Sequence, residues 1–286
     1  MLRPPALALS CIQTVFLLSV FAFGRQPPAT GARILLLPKR IVSGEHATLA
    51  VLDVNGRLTP GVTVTFSNGD QLKTDTTGRA LFVAPLTLGV LFASIEGRPG
   101  RVPTTVVPAV ENSSSSIEIT SAPRVASLSD RFEITGRGFC GDADANHVTI
   151  RGKLALPLAA SPDSLVVLPP VELEPGPADV EIACAKRTAR VFSLTLVALQ
   201  LEADSSPLAP GTHRTLTVRV KGTTLKVGLE AHNLAPDIAE LAGGNPVRLS
   251  STGGSENLGR FEIVGRTRGS FVISIHLIAP ALPVRP

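Results

Sequence analysis

Six residues, Gly136 to Gly141, read GRGFCG and match the pattern G-x-G-x-x-G. Glycines at that spacing let a backbone turn against a pyrophosphate, provided a strand precedes them and a helix opens at the third. RFEIT, residues 131–135, supplies the strand. Behind Gly141 come DADAN and then VTI, a second strand signal, with no stretch able to form a helix with a buried stripe. The expectation is a tight turn in which Gly136 and Gly138 free the backbone and Phe139 folds back onto the sheet, with no nucleotide bound. The overlapping segment DADANH, residues 142–147, begins like a calcium loop. Its sixth position must be Gly and is His147; its twelfth must be Glu and is Lys153. A surface turn is expected in its place.

Three cysteines are present, Cys11, Cys140 and Cys184. Val180, Ile182 and Cys184 share one face of an alternating segment, so the Cys184 sulfur should point inward. If Cys11 leaves with a leader, an even pair remains, and in an exported chain that reads as one structural disulfide, with two independent thiols as the alternative. No C-x-x-C occurs to support redox work. The histidines, His46, His147, His213, His232 and His276, stand alone, without H-x-H or H-E-x-x-H spacing. No G-x-S-x-G or P-loop is found, and the carboxylates are scattered over turns. No catalytic residue, cofactor or metal ligand is therefore expected.

The elements that position these residues are strands. From residue 33 on, apolar side chains alternate with polar ones between Gly, Pro, Asn and Asp clusters, which is the pattern of half-buried strands. Val62, Val64 and Phe66 face one way; Phe132 with Ile134, and Val148 with Ile150, repeat the pattern. So do Leu216, Val218 and Val220, then Leu225, Val227 and Leu229. Phe271, Ile273, Ile275 and Leu277 make the longest such run. One short helical turn is expected in APDIAELAGG, residues 235–244, where Pro236 suits a first position and Gly243 a stop.

At the N-terminus, Arg3 precedes an apolar run densest at VFLLSVFAF, residues 15–23. Small residues then permit cleavage after Ala22 or Gly24, so residues 1–24 read as a signal peptide with a lead-in to about 32. An uncleaved anchor is the alternative. Most of the apolar run follows Cys11, which argues against lipidation there. No second run of spanning length occurs, so no membrane span is expected in the mature chain. ENSSSS, residues 111–116, is polar and contains a formal sequon at Asn112. It reads as a flexible first joint, whereas VFSLTLVALQLEAD, residues 191–204, stays strand-like and predicts a stiff second one.

Between these marks, residues 33–110 and 198–280 resemble bacterial immunoglobulin-like domains. The first carries SGEHATLAVLDVNG and TDTTGRALF; the match of LAPGTHRTLTVRVKGT and VGLEAHNLAP is looser. Residues 117–197 resemble the IPT/TIG family through RFEITGRGFCGDADANHVTIRG, SPDSLVVLPP and EPGPADVEIAC. The resemblance implies an all-β chain of three tandem immunoglobulin-like β-sandwiches. Such likeness supplies architecture more than function.

The formal charge of +4 is mild, and the basic spots at 97–101, 185–190 and 265–269 read as solvated turns, so no nucleic acid is expected. No Trp or Tyr is present, which removes the polar-edged aromatic platforms on which sugars commonly rest. The resulting expectation is a secreted or cell-envelope, non-enzymatic interaction or spacer protein with a protein or surface glycan as partner. An adhesin or glycan-binding protein, and an accessory subunit of a secreted hydrolase, are the alternatives.

Overall fold

The computed structural model describes residues 33–96, 100–109, 116–202 and 206–278, with the backbone of 281–283. The segment read as a signal peptide and its lead-in lie outside the described residues, as do Asn112 and residues 111–115 of the expected linker. Residues from Arg33 onward form one compact unit. It is nearly all β, consistent with immunoglobulin-like sandwiches. Among the described residues no helix is long and apolar enough to cross a membrane.

The first strands are β1 (Ile34–Leu36), β2 (Arg40–Val42), β3 (His46–Leu52), β4 (Thr63–Phe66), β5 (Gln71–Lys73), β6 (Arg79–Val83), β7 (Gly89–Ile95) and β8 (Arg101–Val107). Then come β9 (Glu118–Pro123), β10 (Val125–Ser127), β11 (Phe132–Arg137), β12 (Asn146–Ile150), β13 (Lys153–Leu154), β14 (Leu156–Ser161) and β15 (Ser164–Leu168). β16 (Gly176–Cys184), β17 (Arg187–Thr188) and β18 (Phe192–Glu202) follow. The last are β19 (His213–Lys221), β20 (Gly228–Asn233), β21 (Ala239–Leu241), β22 (Val247–Ser250), β23 (Leu258–Gly265), β24 (Ile273–Ile278) and β25 (Ala281–Pro283).

Among the described residues, three cores lie between sheets and four sheets build them, because two run through. One eight-stranded sheet has the order β1-β3-β14-β15-β11-β9-β25, with β6 also on β3. Ala50 pairs with both Leu36 and Arg79, and Thr48 with both Leu81 and Ala160. β6 therefore holds one edge of β3, while β1 and β14 share the other. A nine-stranded sheet follows β13-β12-β16-β18-β19-β23-β21. β2-β8-β7-β4-β5 and β22-β20-β24 are the smaller sheets.

The first core packs Leu49 and Val51 of β3 against Val64 and Phe66 of β4 and Leu91 of β7. Phe66 and Phe82 meet with ring centroids 5.2 Å apart. The second joins Ile134, Leu165 and Val167 to Val148, Val180 and Leu196. The third joins Val218, Phe261 and Ile263 to Leu229 and Ala231. Alternation puts every second side chain inward in Gly176–Cys184, where buried residues alternate with exposed or half-buried ones.

Four sequence expectations need correction. The first joint is not a simple tether: β3 and β14, from either side of residues 111–115, meet in one sheet. Beside them Leu36, Ala50, Leu52, Leu158, Ala159 and Val166 form a buried cluster of their own. Residues 235–244 hold no helix. The amides of Ile238 and Ala239 both donate to the Ala235 carbonyl, giving a single turn, and β21 then pairs with β23. Leu225 precedes β20 and is exposed, and Phe271 precedes β24. The longest strand is β18, with 11 residues, and it carries the nine-stranded sheet from the second core to the third, as residues 191–204 predicted.

Candidate functional site

The glycine turn follows β11, which pairs with β15 on one edge and β9 on the other. At Gly138 the backbone takes φ +85°, a region that side chains disfavour. Phe139 then turns back into the second core and is 2% exposed. A Cβ on Gly136 would lie 2.1 Å from the Glu118 carbonyl oxygen. After Gly141 comes a single 3-10 turn, Ala143–Ala145, in which the Asp142 carboxylate accepts the Asp144 amide, and then β12. The order is strand–turn–strand, as read from the sequence. Asn146 ties the turn together: its side chain accepts the Cys140 amide at 3.0 Å and donates to the Cys140 and Asp142 carbonyls at 2.8 Å.

Cys140 and Cys184 are joined in a disulfide, with Cα atoms 5.9 Å apart. Cys184 is the last residue of β16 and 1% exposed, facing inward with Val180 and Ile182. The bond closes a span of 44 residues, which corresponds to about 4 kcal/mol in the chain-entropy description.

The sequence did not reveal that this pinned turn docks on the first part of the chain. The Thr48 hydroxyl donates to the Gly141 carbonyl at 2.7 Å and accepts the Ala143 amide at 3.0 Å. Gly141 lies so close to β3 that a Cβ would stand 1.8 Å from the His46 carbonyl oxygen. Arg79, with its side chain 7% exposed, pairs with Asp144. Nearby, Ser161 Oγ donates to the Arg40 carbonyl at 2.6 Å. Glu133 takes Lys39 Nζ at 2.8 Å and the Ser164 hydroxyl at 2.5 Å.

Beside these contacts opens a cleft of about 710 Å³ whose charged lining is Glu45, His46, Arg137, Asp142, Asp163 and Arg187. Gly138, Phe139 and Cys140 form part of its wall. Burial pushes the Asp163 carboxyl above its usual range; Arg40, 3.4 Å away, and Arg137 oppose that rise without cancelling it. Arg187 Nη2 donates to Cys184 Sγ at 3.6 Å. The cleft thus offers mixed charge on a rigid wall, suited to polar recognition. Among the described residues, no group of three or more His, Cys, Asp or Glu side chains is arranged to hold a metal ion.

The histidines, which read as isolated, are only partly so. His147 is exposed on β12, and His213 Nδ1 meets Glu262 Oε1 at 3.0 Å. His232 and His276 come together, with ring centroids 5.9 Å apart. Their strands pair so that Glu230 opposes His276 and His232 opposes Ser274. Alternation alone puts residues 230 and 232 on one face and 274 and 276 on another. Only the pairing of β20 with β24 merges the two.

No family model matches the chain, and no curated protein matches it. The S-layer protein rSbsC(31-844) is similar at 14% identity over 82% of this chain and 36% of that one, with a TM-score of 0.23. SGBP-B of the Bacteroides ovatus mixed-linkage glucan utilization locus, solved with a mixed-linkage heptasaccharide, is 12% identical over 85% of this chain and 73% of its own, with a TM-score of 0.28. The plexin A4 extracellular region is 12% identical over 87% of this chain and 33% of its own, with a TM-score of 0.30. The chain spans little more than a third of the S-layer structure.

Proposed function

We infer that this chain is an exported, non-enzymatic interaction protein built of three immunoglobulin-like modules, residues 33–110, 117–197 and 198–280, the middle one of IPT/TIG type. The observation that carries this reading is the use made of the glycine turn. Its polar groups are taken up by Asn146 within the turn and by Thr48 and Arg79, which dock it on the first part of the chain. A ligand-cradling turn keeps such groups free. Export is supported by the disulfide, because such bonds persist in oxidising compartments. The recognising surface is the cleft beside the turn, and its partner is a protein or surface glycan outside the cytoplasm.

The test is cross-linking in the envelope of the native host, with the full chain and an Arg137→Glu variant. Arg137 is exposed at the cleft, so charge reversal there should leave folding intact. One saturable partner, lost in the variant, is expected. Capture indifferent to Arg137 contradicts the cleft as the surface, and no saturable partner at all points to a spacer. Turnover of an ester, glycoside or phosphate substrate that a single polar substitution abolishes contradicts the non-enzymatic reading.

A further inference from the structure

A row of charge crosses the smallest sheet and continues beyond it. Arg248 on β22 opposes Glu230 on β20, and Glu230 opposes His276 on β24. Arg248 Nε lies 2.7 Å from Glu230 Oε2, and His232 Nε2 lies 2.8 Å from Glu230 Oε1. β24 ends the sheet. Past it, His276 Nδ1 meets Asp130 Oδ2 at 3.0 Å. Asp130 belongs to the segment between β10 and β11, which feeds the second core, whereas β24 lines the third.

We propose that His276 and Asp130 form a proton-operated clasp, closed in mildly acidic solution and loosened above neutrality, that fastens β24 to the segment between β10 and β11. With His276 protonated, the row reads Arg248 plus, Glu230 minus, His276 plus, Asp130 minus, and each neighbour is of opposite sign. With His276 neutral, two carboxylates flank an uncharged ring and the ion pair is gone; β24 stays paired with β20, and toward the β10–β11 segment the ring keeps only a hydrogen bond to Asp130. Ser274 Oγ stands 3.2 Å from Nε2. Among the described residues, the charged or titratable groups facing the ring are Asp130 and Arg131 from the β10–β11 segment and Glu230 and His232 from β20. Arg248 acts through Glu230. Arg131 Nη1 reaches Asp130 Oδ1 at 3.2 Å, so it holds the carboxylate in place while it opposes the histidine's charge.

The titration of the pair runs the same way. The Asp130 hydrogen bond lifts His276 above the ordinary 6.5, against opposing burial and Arg131. Burial alone would raise Asp130, but the His276 bond and Arg131 together bring it below the ordinary 3.8. A raised histidine stabilises fully below its unfolded value and loses that contribution as pH rises through the folded one. A depressed carboxylate stabilises above its unfolded value and loses its share as pH falls through the folded one. The clasp is therefore closed across the span between the two folded values, which begins below Asp130's ordinary 3.8 and ends above His276's ordinary 6.5.

The test does not depend on the functional reading above. Histidine side-chain NMR on the full chain should show the His276 ring, assigned by its loss in His276→Gln, titrating above 6.5 and moving down in Asp130→Asn. In parallel, amide exchange across β24, corrected for intrinsic rates, should rise roughly threefold between pH 5.5 and 8.5, as for a partly exposed pair. In His276→Gln that rise should vanish. A His276 midpoint at or below 6.5 in the unaltered chain overturns the clasp whether or not the variants fold, and so does a midpoint that a folded Asp130→Asn chain leaves in place. Exchange across β24 that ignores pH overturns it as well.

Discussion

The two joints of this molecule are built in opposite ways. At the first, separate surfaces meet: β3 lies beside β14 at Thr48 and Ala160, a six-residue apolar cluster fills the gap, and the Thr48 hydroxyl caps the glycine turn. At the second, the backbone itself carries the connection, because β18 pairs with β16 in its first half and with β19 in its second. A docked joint depends on individual side chains. A continuous strand depends mainly on main-chain hydrogen bonds, which a single substitution barely alters. The first joint should therefore fail residue by residue, and the second should respond less to any one substitution.

The largest break of this symmetry should come from the disulfide. Replacing Cys140 and Cys184 by Ala releases the turn that docks on β3 and should cost about 4 kcal/mol, read as a lowered urea midpoint. Next comes Leu158→Ala, which empties a site 1% exposed in the joint cluster. A loss of about 3 kcal/mol is expected. The matching change at the second joint, Leu199→Ala in half-buried surroundings, should cost clearly less in the same titration. Equal losses would erase the contrast. Thr48→Val follows, since it strips the Gly141 carbonyl and the Ala143 amide of their partner and should lower stability by about 2 kcal/mol.

The smallest effect lies at Asp163. Its folded pKa is raised, so the ionised form is penalised at neutral pH and the penalty is relieved as pH falls through that value. Asp163→Asn should thus raise the melting temperature slightly at pH 7 and lose this advantage near pH 4. A lowered melting temperature at pH 7 would show that Arg40, rather than burial, sets the balance.

The strands were legible because alternation is local. Cys184 could be oriented from Val180 and Ile182, and β18 could be traced through the second joint from its unbroken apolar pattern. The docking of the first joint was harder to see, yet it left a trace. Ala47–Leu52 and Leu154–Ala160 are apolar or small on both faces, and strands buried on both sides lose their alternation. In β3 every residue after His46 is buried: Leu49 and Val51 face the first core, and Ala50 and Leu52 face the joint. The polar stretch at 111–116 drew attention to the connection and away from the surfaces on either side of it. Residues 235–244 misled for another reason. Pro236 does start a turn, but pairing of Ala239–Leu241 with β23 outweighs helix propagation over so few residues. The meeting of His232 with His276 depends on strand register, which no local pattern encodes.

The central claim is that the first joint is a built interface and that the linker is not what holds it. A protease site placed between Ser113 and Ser114 allows the chain to be cut there while the disulfide stays intact. After cutting, the two fragments should migrate as one species in native size-exclusion chromatography, and should separate when Leu158→Ala and Thr48→Val are both present. Fragments that part on cutting the otherwise unaltered chain would contradict the account.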